Sequence, residues 1–237
     1  MEDYSKKIRK KNRFIFEIRY TPKLKLLDKK GEIIDSVFPK ISKNYPHWQI
    51  NQGDILFLDN LELPTSEFLL GLKRTFIAKE DITSYNAFQD NVRNLISIVY
   101  DVLDLEMISR IGFRIISTYE NSTIDSFEKA RKLIEDTFLK DPLNLGLKHK
   151  DLMIKIDHNN GFYTIGPIQR NENWIKTHFK NLKESNEIPK YGIGLDIDSF
   201  GTDIEVTKKD HFLQKVLDTM VLSKAIEDAL MKSLGLI

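Results

Sequence analysis

The chain has 237 residues, of which 41% are hydrophobic and 30% charged, so it can form a substantial core and is not disordered throughout. Its 36 Lys and Arg side chains balance 35 Asp and Glu, which argues against a surface dominated by nucleic-acid charge but leaves room for a local basic patch. The absence of cysteine excludes disulfides, thiol catalysis and cysteine zinc sites. The sequence contains neither an apolar run of membrane-spanning length nor a signal peptide, so we expect a soluble cytoplasmic protein.

The first segment, 6–13, is strongly basic. Its cations are Lys6, Lys7, Arg9, Lys10, Lys11 and Arg13. A block of like charges at a chain end is typically a solvated tail, and the alternative is an arm that contacts a phosphate backbone. Nucleic acid is therefore an alternative partner of this segment.

The rest of the first half shows the two-residue period of strands and the three- to four-residue period of helices. The predicted elements are, in chain order, a strand over 14–20, a helix in the second part of 24–38 that stops before Pro39, a strand or bent pair of strands over 47–58, a strand over 67–79, a helix over 84–103 and a strand over 107–118. In the 84–103 helix, Phe88, Val92 and Val99 belong to one apolar stripe that steps by three and four residues. The order of these elements is that of a ferredoxin-like unit, with two helices on one face of an antiparallel sheet.

The sequence of the second half also predicts both helices and strands. Its elements are a helix over 122–140, strands over 151–157 and 162–168, a polar helix-containing excursion over 169–189, a strand over 191–199 and a long helix over 208–234. A hairpin turn is favoured at 159–161, because Asn and Gly accept positive φ. We therefore expect an α+β protein with mostly antiparallel sheets and helices packed on one face. Its two halves, a ferredoxin-like 1–119 and a second α+β half 120–237, should form one compact unit.

The long C-terminal helix has a wide apolar surface. Its apolar positions include Phe212, Val216, Met220, Val221, Ile226 and Leu230. Such a helix is either deeply buried or also covers a partner chain. It therefore predicts a protein partner or a homo-oligomer formed through this helix.

Arg110 and Arg114 lie four residues apart on the strand predicted over 107–118. Side chains alternate along a strand, so both arginines project from the same face, with Gly112 between them. Their planar donor groups could bind a phosphate or carboxylate ligand, but ion pairing across the sheet to Glu17 or a similar residue is the favoured interpretation. The two arginines are the candidate ligand-binding residues.

A cluster of carboxylates surrounds the end of the strand predicted over 191–199. Its members are Asp196 and Asp198 on one face of the strand, then Asp203 and Glu205 after a turn expected at Gly201. Carboxylate oxygens bind Mg²⁺ or Ca²⁺, but the spacing matches no calcium loop. Because acidic edge strands also discourage aggregation, we favour a solvated face and expect no cofactor, with Asp196 and Asp198 as the metal candidates.

Catalytic motifs are absent from the sequence. It contains no Gly-x-Ser-x-Gly, no Walker lysine, no Gly-x-Gly-x-x-Gly and no His-x-x-x-His pair. His47, with Tyr45 close by, could act as an acid or base if it were buried, whereas a lone histidine usually has a structural role. His47 and Tyr45 are therefore the catalytic candidates in a chain that we otherwise expect to be non-enzymatic.

Three short segments resemble a sporadically distributed, uncharacterised prokaryotic family of roughly this length. They are Phe16-Glu17-Ile18-Arg19, Arg110-Ile111-Gly112-Phe113-Arg114-Ile115-Ile116 and Leu195-Asp196-Ile197-Asp198. The middle segment resembles the family's Arg-Ile-Gly-Leu-Arg-Tyr motif, with Phe113 in place of Leu and Ile116 where Asn is often found. The last resembles its Leu-Asp-Ile-Asp segment. The resemblance implies a patchily inherited accessory protein, as is typical of mobile defence systems, and supplies no established activity.

These observations favour a non-enzymatic protein-interaction or sensor component of a mobile prokaryotic defence system. The motivation is the absence of catalytic motifs together with the wide apolar surface of the terminal helix. The alternative is an RNA-binding protein or metal-independent RNA endonuclease of ferredoxin-like build, using His47, Tyr45 and the basic 6–13 arm. That alternative lacks the glycine-rich C-terminal loop expected of such enzymes.

Overall fold

A computed structural model describes residues 9–120, 122–139, 152–158, 160–170, 172–180, 189–206 and 208–236. Its strands are β1 (Arg9–Tyr20), β2 (His47–Asn51), β3 (Asp54–Leu58), β4 (Ser66–Leu70), β5 (Arg74–Glu80), β6 (Met107–Tyr119), β7 (Ile154–His158), β8 (Gly161–Gln169) and β9 (Tyr191–Glu205). Its helices are α1 (Lys25–Asp28), α2 (Lys30–Ile41), α3 (Tyr85–Leu103), α4 (Phe127–Phe138), α5 (Asn173–His178) and α6 (Lys209–Ser233). The predicted α+β class is confirmed.

The nine described strands form an antiparallel sheet in the order β2-β3-β4-β5-β1-β6-β9-β8-β7. Register is fixed by a row of apolar residues that face one another across β2 to β5. Trp48 lies opposite Phe57, Phe57 opposite Phe68, and Phe68 opposite Ile77. Partners directly across a ladder share a face of the sheet, so these side chains form one apolar row.

The chain is divided into two compact units. The 14–114 unit comprises 14–114 and 199–222, and the 115–198 unit comprises 115–198, 223–237 and the N-terminal residues up to 13, as far as these are described. The strands β1, β6 and β9 and the helix α6 each contribute residues to both units. The division therefore falls inside these elements, whereas the sequence prediction places one boundary after residue 119.

The core of the 14–114 unit is an aromatic cluster from β1, β6 and α3. Phe14, Phe16 and Ile18 are fully buried along β1, where every second residue is apolar. The ring of Phe14 lies 5.6 Å from that of Phe113 on β6 and 5.5 Å from that of Phe88 on α3. Burial of each large apolar side chain contributes about 1.5–3 kcal/mol, so this cluster holds the two strands and the helix together.

Helix α3 confirms the most regular pattern of the sequence. The side-chain oxygen of Ser84 accepts a hydrogen bond from the backbone N–H of Ala87 at 3.2 Å, which caps the first turn. The predicted stripe is buried from Phe88 to Leu103, except that Val102 is half-buried. The helix ends at Asp104, which adopts a left-handed conformation with φ of 48°.

The predicted bent pair of strands over 47–58 is the β2–β3 hairpin. Gln52 and Gly53 connect the two strands with φ of 49° and 96°. Two successive residues with positive φ are typical of the type I′ turn, whose twist matches that of a hairpin.

The prediction of one strand over 67–79 is wrong, because the chain turns back between β4 and β5. The backbone N–H of Gly71 donates to the carbonyl of Arg74 at 2.8 Å, with Leu72 and Lys73 at the tip of the turn. Neither tip residue has a positive φ, so this turn needs no Asn-Gly signature and the apolar alternation runs through it.

Two predicted boundaries are also wrong. Helix α2 does not stop before Pro39 but continues to Ile41. Pro39 lies in its last turn, where a proline removes only one backbone hydrogen bond. Strand β9 continues through Gly201, so the turn expected there is absent. Asp203, with φ of 53°, is instead an irregular position within the strand.

The predicted helices of the second half are present. Helix α4 is shorter than expected, because Ser126 caps it by accepting a hydrogen bond from the backbone N–H of Lys129 at 3.3 Å. Its buried residues are Ala130 and Ile134, and the helix packs against β8. No helix in the described part of the chain is long and apolar enough to cross a membrane.

The basic segment 6–13 is not a solvated arm over its described residues. The side chains of Lys6, Lys7, Arg9 and Lys10 lie outside the described part of the chain. Lys11 is only 1% exposed, and its backbone N–H donates to Thr118 Oγ1 at 3.1 Å. The Arg13 guanidinium donates to the carbonyl of His178 at 3.1 Å. The prediction of a solvated tail is therefore wrong for Lys11 and Arg13, because β1 begins before the apolar alternation does.

Candidate functional site

Three arginines and one glutamate meet on one face of the sheet in the 14–114 unit. Because β5, β1 and β6 are neighbours, they bring together Arg74 from β5, Glu17 and Arg19 from β1, and Arg110 from β6. Glu17 and Arg19 alternate with buried residues such as Phe16, so they project away from the aromatic core. We call these four residues the arginine cluster.

Glu17 is the centre of the arginine cluster. Its Oε1 lies 2.7 Å from Arg19 Nε and 3.1 Å from Arg110 Nη1, and its Oε2 lies 3.8 Å from Arg74 Nη1. Ion pairing of Arg110 with Glu17 across the sheet is therefore present, as the sequence analysis favoured. One carboxylate nevertheless faces three guanidinium groups, so these four residues retain an excess of two positive charges.

Two phenylalanines flank the arginine cluster. The Arg110 Cζ lies 4.9 Å from the ring centroid of Phe200, and the Arg74 Cζ lies 5.8 Å from that of Phe76. Both distances are within the range of cation–π attraction. Gly112 makes room for this arrangement, because a Cβ atom there would lie 2.8 Å from Arg110 Nη1. The glycine between the two arginines therefore lets the Arg110 guanidinium lie over residue 112.

Exposure differs among the three arginines. The side chains of Arg19 and Arg74 are 53% and 49% exposed, whereas that of Arg110 is 20% exposed. A half-exposed guanidinium can direct its remaining N–H groups at a phosphate or carboxylate from solution. The cluster can thus bind an anionic group next to an aromatic ring, with Arg110 holding Glu17 and Phe200 in place.

Sequence reasoning anticipated the pair of Arg110 and Glu17 but missed Arg19 and Arg74. Arg19 follows Glu17 by two residues, so the shared face was a usable signal. Arg74 was placed in the interior of a single strand, because the turn between β4 and β5 was not expected. Arg114, the second predicted ligand-binding arginine, is half-buried on β6.

Tyr45 and His47, the two catalytic candidates, have different environments. Tyr45 is 1% exposed, and its hydroxyl oxygen accepts hydrogen bonds from Ser66 Oγ and Asn91 Nδ2, both at 3.2 Å. Burial raises the pKa of Tyr45, and the two hydrogen bonds lower it by less, so the hydroxyl stays protonated at neutral pH. His47 is exposed at the start of β2, opposite Leu58.

Replacement of Tyr45 by phenylalanine is expected to reduce the loss of stability at high pH. With a raised pKa, the folded state keeps the phenol proton at pH values where the unfolded chain, with a pKa of about 10, loses it. The contribution of Tyr45 is complete below pH 10 and falls by about 1.4 kcal/mol per pH unit above it, up to the pKa of the folded state. Urea unfolding between about pH 9 and pH 11 measures this slope. Equal slopes for both proteins would contradict the burial of the phenol.

Asp196, one of the two metal candidates, lies beside His178 in the 115–198 unit. His178 Nε2 is 3.5 Å from Asp196 Oδ2, and His178 Nδ1 is 2.6 Å from the carbonyl oxygen of Trp174. The Trp174 ring stacks on the imidazole with 4.4 Å between centroids. Asp198 is half-buried on the same strand. The described residues contain no group of three or more His, Cys, Asp or Glu side chains placed to hold a metal ion.

No protein-family model matches the chain, and no curated protein matches its sequence at a significant level. The resemblance to a sporadically distributed prokaryotic family stays a prediction.

Proposed function

We propose that the arginine cluster binds single-stranded RNA. The observation that carries this proposal is the pair of half-exposed arginines beside Glu17, Arg19 and Arg74, which lie near the rings of Phe76 and Phe200. Proteins bind single strands by placing cations along the phosphates and by stacking bases on aromatic rings or guanidinium planes. The half-exposed Arg19 and Arg74 supply the cations for such a contact.

A ferredoxin-like fold of the 14–114 unit would support RNA binding on this face of the sheet. We propose that β1, β4, β5 and β6 are its four strands, that α2 and α3 are its helices, and that the β2–β3 hairpin is an insertion. The order β4-β5-β1-β6 supports this assignment, since it places the first and third strands side by side in the centre. Four-stranded RNA-binding domains stack bases on the exposed face of the sheet, and the arginine cluster lies on the face away from the aromatic core.

Substitution of Arg74 by glutamine is expected to weaken RNA binding about fivefold, the equivalent of about 1 kcal/mol for one surface charge contact. Arg74 is the clearest test, because it is half exposed and its 3.8 Å ion pair with Glu17 is too long for a hydrogen bond. The loss of one phosphate contact should also reduce the slope of log affinity against log salt by about 0.7. Fluorescence anisotropy with a labelled oligouridine at several salt concentrations measures both quantities.

Two variants sharpen the RNA experiment. Glu17→Gln removes the counter-charge of the arginine cluster and should tighten binding about fivefold. Arg93→Gln is the matched control, because Arg93 is exposed on α3, whose Phe88 packs against the opposite face of β1. Binding that does not depend on salt, or that changes equally in Arg74→Gln and Arg93→Gln, would refute the proposal.

A second candidate function, protein interaction through α6, is favoured by a separate observation. Val221 and Leu222 are 54% and 39% exposed, although Val216 and Met220 on the same helix are fully buried. Large apolar side chains side by side on a surface helix are a common site of association. We propose that a second copy of the chain covers them. A place in a mobile prokaryotic defence system stays a prediction.

Val221→Glu is expected to prevent self-association. A carboxylate cannot be buried in an apolar contact without a large desolvation penalty, so the variant should be monomeric where the wild-type protein is dimeric. Size-exclusion chromatography with light scattering over a range of concentrations measures the mass. Lys215→Glu, an exposed position on the same helix, is the control. A wild-type protein that is monomeric at all concentrations would exclude this function.

A further inference from the structure

The 14–114 unit also contains a polar cavity of about 390 Å³, away from the arginine cluster. The cavity lies between the end of α2, the connection from β3 to β4, and α3. Its wall includes Lys43, Asn44, Tyr45, Thr65, Lys79 and Asn91. A smaller cavity of about 100 Å³, lined by Asp81 and Thr83, shares Lys79 and Asn91 with it. The larger volume is within the range of small-molecule sites.

The floor of the cavity is formed by a buried, hydrogen-bonded side chain, Tyr45. The buried hydroxyl of Tyr45 accepts from Ser66 Oγ and from one amide N–H of Asn91. This bond fixes the orientation of the Asn91 carboxamide, which keeps its second N–H and its carbonyl oxygen for another partner. A side chain that both donates and accepts in a fixed direction is suited to a hydroxyl group.

Two lysines, Lys43 and Lys79, line the cavity. Both side chains are exposed, and neither has a carboxylate within ion-pair distance in the described part of the chain. Among the described residues of the wall, the side chain with a carboxylate is Asp59. Its Oδ1 accepts the backbone N–H of Thr65 at 3.1 Å and its Oδ2 accepts the Thr65 hydroxyl at 2.6 Å. Asp59 is thus engaged by its own loop, and the two lysines face the cavity with their charge available.

We propose that the cavity binds a small phosphorylated sugar. The phosphate binds the ammonium groups of Lys43 and Lys79, which line the cavity and attract it as point charges. The hydroxyl groups of the sugar bind Asn91, Thr83 and Asp81, because each hydroxyl can both donate and accept. An apolar ligand does not fit a wall made of amide, hydroxyl and charged groups, since it would leave these polar groups without water or a partner.

Isothermal titration calorimetry with ribose 5-phosphate, glucose 6-phosphate and glycerol 3-phosphate tests this proposal. We expect at least one of the three to bind with a dissociation constant of about 1 mM or lower. Lys43→Gln and Lys79→Gln should each weaken that binding by about tenfold. Lys40→Gln, an exposed lysine of α2 outside the wall, should leave it unchanged.

Three outcomes would overturn the proposal. The first is that none of the three phosphates binds at about 10 mM, a concentration well above the expected dissociation constant. The second is that Lys43→Gln and Lys79→Gln bind as tightly as Lys40→Gln. The third is that ribose binds as tightly as ribose 5-phosphate, which would mean that the lysines do not recognise the phosphate. Since all three lysines are exposed, the variants should fold, and circular dichroism verifies this.

Discussion

Replacement of Glu227 by alanine is expected to lower the free energy of unfolding by about 3–5 kcal/mol. Glu227 is fully buried in the 115–198 unit. Its Oε1 accepts hydrogen bonds from Ser117 Oγ at 2.9 Å and from the Tyr119 hydroxyl at 2.6 Å, and its Oε2 lies 3.3 Å from Lys224 Nζ. Alanine would leave two buried hydroxyls without this acceptor and an ammonium group without this counter-ion. Urea unfolding followed by circular dichroism measures the loss.

Two neighbouring variants separate this hydrogen-bonded network from effects on the helix. Glu227→Gln keeps one carbonyl acceptor but loses the charge, so it should cost about 1–2 kcal/mol. Asp228→Ala changes the next residue of α6, whose side chain is 51% exposed, and should stay within about 0.5 kcal/mol of the wild-type protein. An equal effect of Glu227→Ala and Asp228→Ala would mean that the buried network adds no stability.

Phe113→Ala is expected to cost about 3–5 kcal/mol in the free energy of unfolding. The Phe113 side chain is fully buried in the aromatic cluster, with ring centroids 5.6 Å from Phe14, 6.0 Å from Phe88 and 6.4 Å from Tyr85. Alanine removes both the buried apolar area and the edge and stacking contacts of the ring, and it leaves a cavity that three surrounding rings cannot fill. Thermal and urea unfolding measure the effect.

Phe113→Leu should be much milder, at about 1–2 kcal/mol, because leucine fills most of the same volume. Leucine is also the residue of the prokaryotic family that the segment resembles, so the variant tests whether this core accepts either side chain. Met107→Ala is the control on the same strand. Met107 is 46% exposed, and its loss should cost less than about 1 kcal/mol. If Phe113→Ala were no worse than Met107→Ala, the aromatic cluster would not be the core of this unit.

The elements that sequence alone predicted correctly are those whose signal is local and repeated. Helix α3 combines a cap at Ser84 with an apolar stripe over five turns, and all of that information lies within one segment. Strand β6 is equally clear, because Ile111, Phe113 and Ile115 alternate with smaller or polar residues and are fully buried. Such patterns can be recognised without knowing which elements pack together in the folded protein.

The turn between β4 and β5 was missed because nothing in it departs from strand periodicity. Leu72 and Lys73 turn the chain without a positive φ, whereas the β2–β3 turn uses Gly53 at φ of 96° and was anticipated. This one error also displaced Arg74. A turn without special conformations is fixed by the pairing of its flanking strands, which becomes visible only in the folded sheet.

The arginine cluster and the buried Glu227 depend on contacts between distant segments. Glu17 and Arg110 are 93 residues apart, and Glu227 meets Ser117 across 110 residues. In the sequence of α6, Glu227 is close to two other charged residues, Lys224 and Asp228. Such a run of charged residues is typical of a solvent-facing helix surface. The local pattern therefore predicts an exposed Glu227, whereas the fold buries it against two hydroxyl groups of β6.

The two tryptophans of the chain are divided between the compact units, which gives each unit its own fluorophore. Trp48 is 44% exposed on β2, and Trp174 stacks on the imidazole of His178. Indole emission depends on its surroundings, so Trp48→Phe and Trp174→Phe each leave one reporter of one unit. Coincident unfolding curves from the two single-tryptophan proteins would mean that the units melt as one cooperative body, and separated curves that each has its own transition.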